Sequence, residues 1–349
     1  MKFVLSKDLT TDMIPVRNIY NRNRDLLLAA NHRLTPQIIS RLQKMNYSGI
    51  MVYDEYSDIE EYKEYLSEDN RNNVVSALKD LSIDKVIYCV NEIVDSLLKN
   101  DDILIDMNDL QFYDADTYEH STNVCLLATA CGMVLGLDDK TLRELAVGAM
   151  LHDIGKMSIE KSILNKPGKL NDEERKIINT HPQRGYDMIY DNYSISTNSR
   201  MCILCHHENW DGSGYPNGLK KEDIPYLARI IHVADVYDAM CQKRAYKDSY
   251  DPVEVIEYLY ANCGSMFDQD VVNGFLRSVV VYPVGSEVEL STGERAVVIK
   301  NRASYVTRPV VCIRETKKIL DLAKDSRTYS ITIKGVDGLK SVSRDIVVA

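Results

Sequence analysis

The chain has 349 residues, of which 45% are apolar and 27% charged, and a formal net charge of -10. That length accommodates two or three domains at about 100–200 residues each, and the composition is that of an ordinary globular protein able to build a large core. The acidic balance disfavours nucleic acid or an anionic membrane as the main partner, since both ask for a basic surface; a small phosphate ligand stays open if its cations are local.

No apolar run reaches the ~18 residues that a spanning helix needs. Residues 1–10 lack the charged-then-apolar order of an export signal, so the expected compartment is the cytoplasm. The eight cysteines sit in apolar stretches such as Val124-Cys125-Leu126. They read as small buried hydrophobes rather than as a disulfide framework.

In chain order, residues 26–30 are an apolar run that fits a strand. Thr35-Pro36 has the form of an N-cap followed by Pro in the first helical turn. Ile38, Ile39, Leu42 and Met45 then recur at helical spacing, and residues 50–53 read as a returning strand. Residues 54–73 are rich in Glu, Asp and Asn and predict a solvated connector. From 74 to 280 apolar residues recur three and four apart, as in the stripe Leu126, Leu127, Ala130, Val134 and Leu135. After 281 the pattern shortens. Residues 288–290, 296–299, 310–313 and 329–333 read as strands, and Ser291-Thr292-Gly293 as a turn. The expected fold class is therefore mainly α. It has a helical core over 74–280, a small α/β module with its connector over 1–73, and a small β-rich domain over 281–349.

The chemistry is concentrated in the helical middle. His120 follows Asp116 by four residues, one helical turn. His152-Asp153 precedes Gly155 and Lys156, and His181 precedes Pro182. His206-His207-Glu208 leads into Gly214-Tyr215-Pro216, and Asp235 and Asp238 lie three apart on one helical segment. Imidazole with carboxylate suits borderline metals such as iron, manganese, cobalt or zinc. Five histidines with two or three aspartates exceed what one tetrahedral ion needs. A carboxylate shared between two ions would account for the surplus, and paired ions suit phosphate chemistry.

This ordered series, from about Asp114 to Lys247, resembles the HD-domain phosphohydrolases and, within them, the HD-GYP family. The blocks that carry it are His120-Ser121, His152-Asp153-Ile154-Gly155-Lys156, His181-Pro182, His206-His207-Glu208, Gly214-Tyr215-Pro216 and the run from Val233 to Ala239. The resemblance implies an HD-type helical bundle, a centre of two or three divalent ions, iron or manganese, and hydrolysis of cyclic di-GMP to pGpG and on to GMP. By position it implies that His120, His152, Asp153 and Asp235 hold one metal. Asp153 would bridge to a second, completed by His181, His206 and His207. Lys156 would touch the scissile phosphate. Gly214, Tyr215, Pro216, Asp238, Arg244 and Lys247 are the expected substrate contacts. The family commonly continues with Thr-Ser and Arg-Pro-Tyr, where this chain has Cys241-Gln242 and Arg244-Ala245-Tyr246. Family members with an acidic residue at the place of Asp116 resemble three-metal enzymes; with Asp114 it also suits the acidic first turn of a helix.

Blander readings apply elsewhere. His32 and His232 read as hydrogen-bonded structural residues. Cys202-Ile203-Leu204-Cys205-His206 matches the haem-attachment spacing, but His206 is needed by the metal series and two buried helix cysteines are the plainer reading. The rival functions are an HD hydrolase of another nucleotide and a non-catalytic receptor for the dinucleotide. The terminal modules are functionally opaque: they could sense, pair two copies of the chain, or recruit signalling proteins.

Overall fold

The computed structural model describes residues 1–21, 25–45, 47, 49–57, 65–100, 103–105, 117–166, 168–241, 252–302 and 305–336. Asp116, Arg244 and Lys247 lie outside these residues. The chain divides into two compact units, one drawn from Met1–Glu64 and Val279–Val342, the other from Tyr65–Ile105 and Ala115–Ser278.

The first unit begins with β1 (Lys2–Leu5), β2 (Ile19–Tyr20), β3 (Leu26–Leu28), α1 (Pro36–Lys44) and β4 (Gly49–Val52). Strand β1 pairs antiparallel with β4, and β2 with β3. The Thr35 hydroxyl accepts from the Ile38 amide at 3.3 Å, and Pro36 opens α1, where its missing N–H costs nothing. One face of α1 delivers Leu42 to a core with Val4, Ile50 and Val52. The C-terminal part is a sheet of β5 (Glu287–Leu290), β6 (Arg295–Lys300), β7 (Val310–Ile313), β8 (Ile319–Asp321) and β9 (Ile333–Val336), in the order β8-β7-β6-β5-β9. Gly293, at φ +85°, makes the turn from β5 to β6. The strand expected at 329–333 starts only at Ile333. Thr328 donates to the Asp321 and Asp325 carbonyls, which curls 326–328 into a 3-10 turn just before it.

The two ends of the chain, read from the sequence as separate modules, share one unit. Tyr56 packs into a cluster with Val297, Ile299, Val310 and Cys312. The Lys317 ammonium lies 4.4 Å from the centre of the Tyr56 ring and 3.0 Å from the Glu55 carboxylate. The N-terminal half closes its own core around Leu42, and the C-terminal strands supply the cover for Tyr56.

The second unit is helical: α2 (Glu68–Lys79), α3 (Ile83–Leu98), α4 (Thr117–Val134), α5 (Asp139–Leu151), α6 (Lys161–Leu164), α7 (Asp172–Ile178), α8 (His181–Ile189), α9 (Thr197–Cys205), α10 (Tyr226–Cys241), α11 (Pro252–Ala261) and α12 (Gln269–Leu276). From Val124 to Ala128 every side chain of α4 is buried, as in a helix enclosed on all sides. Asp138 caps α5, and Asn171 with Glu174 forms a reciprocal capping box on α7. The expected connector over 54–73 runs too far. Ser67 caps α2, whose polar first turns include an arginine, Arg71, that is only 4% exposed.

Candidate metal centre

Helix ends supply much of the site. His152 and His206 are the residues that close α5 and α9, and His181 opens α8 directly after α7. The last carbonyls of a helix have no intrahelical donor. Each of these imidazoles uses one: His152 Nδ1 donates to the Ala149 carbonyl (2.7 Å), His181 Nδ1 to Ile178 (2.8 Å) and His206 Nδ1 to Ile203 (2.9 Å). A carbonyl only accepts, so Nδ1 must carry the proton and Nε2 presents a lone pair. The same local device thus orients three histidines, each with Nε2 free to face a cation.

Those lone pairs converge. His120, His152 and Asp235 form one group able to hold a cation; Asp153, His181, His206 and His207 form a second. Asp153 lies between them. Its Oδ2 is 3.4 Å from His152 Nε2 and 3.9 Å from His120 Nε2, while its Oδ1 is 3.2 Å from His181 Nε2 and 3.9 Å from His206 Nε2. Asp235 Oδ1 is 2.9 Å from His120 Nε2. His181 Nε2 and His206 Nε2 face each other at 3.2 Å, two acceptors without a proton to share. His152 Nε2 and Asp153 Oδ1 are buried and have no hydrogen-bond partner. Buried acceptors left pointing at one another are costly unless a cation lies among them. The donor set, imidazole nitrogen with carboxylate oxygen, fits divalent transition metals.

The electrostatics agree. Burial opposes the Asp153 charge, yet the Lys156 ammonium and the imidazoles around it hold this carboxyl well below the usual range. Burial, reinforced by neighbouring imidazoles, keeps His206 well below an ordinary histidine, and burial does the same to His207. His120 behaves oppositely: burial lowers its pKa, but hydrogen bonds to Asp235 and Asp238 outweigh this and raise it to about 10.

Lys156 Nζ donates to Asp153 Oδ2 at 2.6 Å, and 24% of its side chain stays exposed. It therefore sits beside the Asp153 carboxylate with one flank open. Gly155 lets the turn Ile154–Ser158 approach α8 closely: an added Cβ would come within 2.0 Å of the His181 carbonyl oxygen and 2.5 Å of the Gly185 nitrogen. Gly185 was not singled out in the sequence, although its place one turn after His181 put it on the same face.

The Gly214-Tyr215-Pro216 segment packs on His207 of the second group. The Tyr215 ring stacks on His207, with centroids 4.8 Å apart and planes at 27°. A Cβ on Gly214 would collide with the backbone of 207–209. Glu208, 1% exposed, accepts from the Asn217 and Leu219 amides and so folds this loop back on the histidines. Pro216 is exposed at its edge. Asp238, expected among the substrate contacts, is fully buried instead. Its Oδ2 accepts from His120 Nδ1 at 2.6 Å and its Oδ1 from Asn123 Nδ2 at 3.1 Å, because the face of α10 it occupies looks into α4. Asn123, three residues after His120, was legible only as a same-face neighbour. His232 belongs to neither group; it lies 5.1 Å from the Phe267 ring, and burial lowers its pKa to about 4. His32 is exposed and bonds the Ala30 carbonyl. Cys202 and Cys205 are buried in α9, with Cys202 against Gly148.

Residues 104–271 match the HD domain family. Over 222 residues the chain is 40% identical to "Cyclic di-GMP phosphodiesterase PA4108" of Pseudomonas aeruginosa, an alignment covering 64% of this chain and 53% of that protein. It is 38% identical over 170 residues to "Cyclic di-GMP phosphodiesterase response regulator RpfG" of Xanthomonas campestris pv. campestris, covering 48% of this chain and 45% of that one. The chain thus spans about half the length of the curated relatives it matches. Among solved structures, Bd1817, a HDG"Y"P protein from Bdellovibrio bacteriovorus, aligns with a TM-score of 0.50 at 17% identity, over 78% of this chain and 97% of that one, a likeness of fold. Among the described residues no helix is long and apolar enough to cross a membrane.

Proposed function

We propose that the chain is a cytoplasmic, metal-dependent phosphodiesterase of the HD-GYP type that hydrolyses cyclic di-GMP to pGpG and, more slowly, to GMP; its match to the HD domain over residues 104–271 supports this. The observation that carries this reading is the placement of Asp153, one oxygen toward each histidine group, with Lys156 beside it.

His120, His152 and Asp235 would hold one divalent ion and His181, His206 and His207 the other, with Asp153 shared; iron or manganese suits this mixture of donors. Bound there, such ions would supply Lewis acidity and lower the pKa of water. The rest falls to side chains. Water adds to phosphorus in line as the 3′ oxygen leaves. The open flank of Lys156 meets the phosphate and neutralises the charge that grows on its oxygens. Tyr215 keeps His207 in place, and Gly214 and Pro216 shape the rim. Arg244 and Lys247 are assigned as further anion contacts, and Asp116 as a ligand for a third ion. The first unit is read as a regulatory module, able to pair two copies or to recruit a signalling protein.

The test is product analysis by chromatography after anaerobic incubation of iron- or manganese-loaded protein with cyclic di-GMP. Appearance of pGpG before GMP supports the reading. Binding without cleavage would make the protein a receptor, and cleavage of other nucleotides alone would make it a different HD hydrolase.

A further inference from the structure

A buried arginine on α2 connects to the metal centre through side chains only. Arg71 Nη1 donates to Glu119 Oε2 at 2.9 Å and to Asn123 Oδ1 at 3.2 Å. Asn123 and Asp238 are both fully buried. Asn123 Nδ2 donates to Asp238 Oδ1 at 3.1 Å, and Asp238 Oδ2 accepts from His120 Nδ1 at 2.6 Å. The path runs from α2 through α4 to α10 and back to α4.

We propose that Arg71 is a positioning residue for His120, acting through the Asn123 amide and the Asp238 carboxylate. The inference rests on the reading of His120 as a metal ligand.

The reason lies in which groups can donate. A guanidinium only donates and a carboxylate only accepts, whereas an amide does both and can be turned end for end. Arg71 decides how Asn123 is turned. With the amide oxygen held by the guanidinium, the NH2 must face Asp238. Reversed, the amide would set its oxygen against a carboxylate and its NH2 against a cation. Asp238, with one oxygen occupied by Asn123, offers the other to His120 Nδ1–H. That bond fixes the imidazole ring and leaves Nε2 as the donor atom, the usual office of a carboxylate behind a metal-binding histidine. Hydrogen bonds aligned head to tail also polarise one another in a water-free interior. Charge balance alone does not require this arrangement. Glu119 already neutralises Arg71, so the contact to Asn123 is additional to the ion pair.

A purely structural clamp between α2 and α4 would act on stability alone. A positioning role must also appear in metal affinity, and at one site more than the other. The probe is cobalt(II), titrated into metal-free protein in competition with a chromophoric chelator to give two binding constants. In wild type one cobalt ion should bind at each of the two histidine groups, whether or not a third is held elsewhere. Arg71→Met should weaken one of them about tenfold and leave the other within about twofold, in line with losses of 10- to 100-fold when partners behind a ligand are removed. Asn123→Leu should weaken the same ion at least as much, and the double variant should be no weaker than Asn123→Leu alone, because both break one path. If Arg71→Met does not fold, Arg71→Lys, which keeps the charge beside Glu119 but not the planar fork, is read in the same way and should weaken the same ion several-fold. Two unchanged constants in the folded Arg71 variant, or effects that simply multiply in the double variant, overturn the proposal. A wild type that binds no pair of cobalt ions overturns the metal reading with it, which keeps the two failures apart.

Discussion

The aromatic ring of Tyr215 lies flat on the imidazole of His207, with centroids 4.8 Å apart. A motif that reads in sequence as a turn at the pocket edge is thereby joined to the ligand set. Replacing Tyr215 with Ala should loosen metal at the His181, His206 and His207 group by about two- to tenfold, the worth of an aromatic contact of ~0.5–1.5 kcal/mol. Tyr215→Phe, which keeps the ring, should bind metal as wild type does. Chelator competition measures both, and equal loss in the two variants would assign the effect to the hydroxyl rather than to stacking.

Asp153 and Lys156 are in contact but should fail differently. Asp153→Ala removes a carboxylate that turns one oxygen toward each group, so elemental analysis should show loss of more than one ion and no turnover. Lys156→Ala leaves every candidate ligand in place. It should retain its metal and lose about 10²–10³ in kcat, the loss typical when one charge-stabilising donor is removed. Full metal content in Asp153→Ala would refute the shared role.

Gly155→Ala tests the close approach of the Ile154–Ser158 turn to α8. The obstructing atoms are backbone, the His181 carbonyl and the Gly185 nitrogen, which cannot rotate away. Overpacking of this kind costs about 1–3 kcal/mol. The variant should unfold at lower denaturant and hold less metal, since the displaced carbonyl belongs to a ligand. A normal unfolding midpoint with normal metal content would show that the turn can shift.

The clustering of the histidines and aspartates was legible because histidine beside aspartate, repeated within a helical pattern, has few structural explanations. The helical core was legible from its apolar spacing. Arg71 was not, since a stretch reading Glu68-Asp69-Asn70-Arg71-Asn72-Asn73 has the composition of a solvated segment. Its burial depends on Glu119 and Asn123, some fifty positions later. Asp238 was placed on the right helix but given the wrong neighbour, because spacing from Asp235 says nothing about which helix that face meets. The union of the two chain ends depends on contacts such as Lys317 with Glu55, which local patterns do not encode.

Three residues named from the sequence lie outside the described part of the chain, and solution measurements can address them. Arg244→Ala and Lys247→Ala should each raise KM about tenfold or more, the worth of a charge-assisted contact at ~1.5–3 kcal/mol, with metal content unchanged. Asp116→Asn should lower the metal-to-protein ratio of anaerobically prepared enzyme from near three to near two. An unchanged ratio near two would remove the third site.

The discontinuous first unit also has a consequence for synthesis. Residues 1–64 are translated before the sheet that shares their unit, which is encoded after residue 279 and supplies the cluster around Tyr56. At about 5–20 residues per second, the first sixty-odd residues wait roughly ten to forty seconds for their partner. The helical unit, translated in between, can collapse around its histidines while half of its neighbour does not yet exist. During that interval Tyr56 lacks Val297, Ile299, Val310 and Cys312, which pack around it in the finished unit, whereas the core of Leu42, Ile50 and Val52 can close locally. This nascent segment is where a chaperone that binds short apolar stretches would find its substrate.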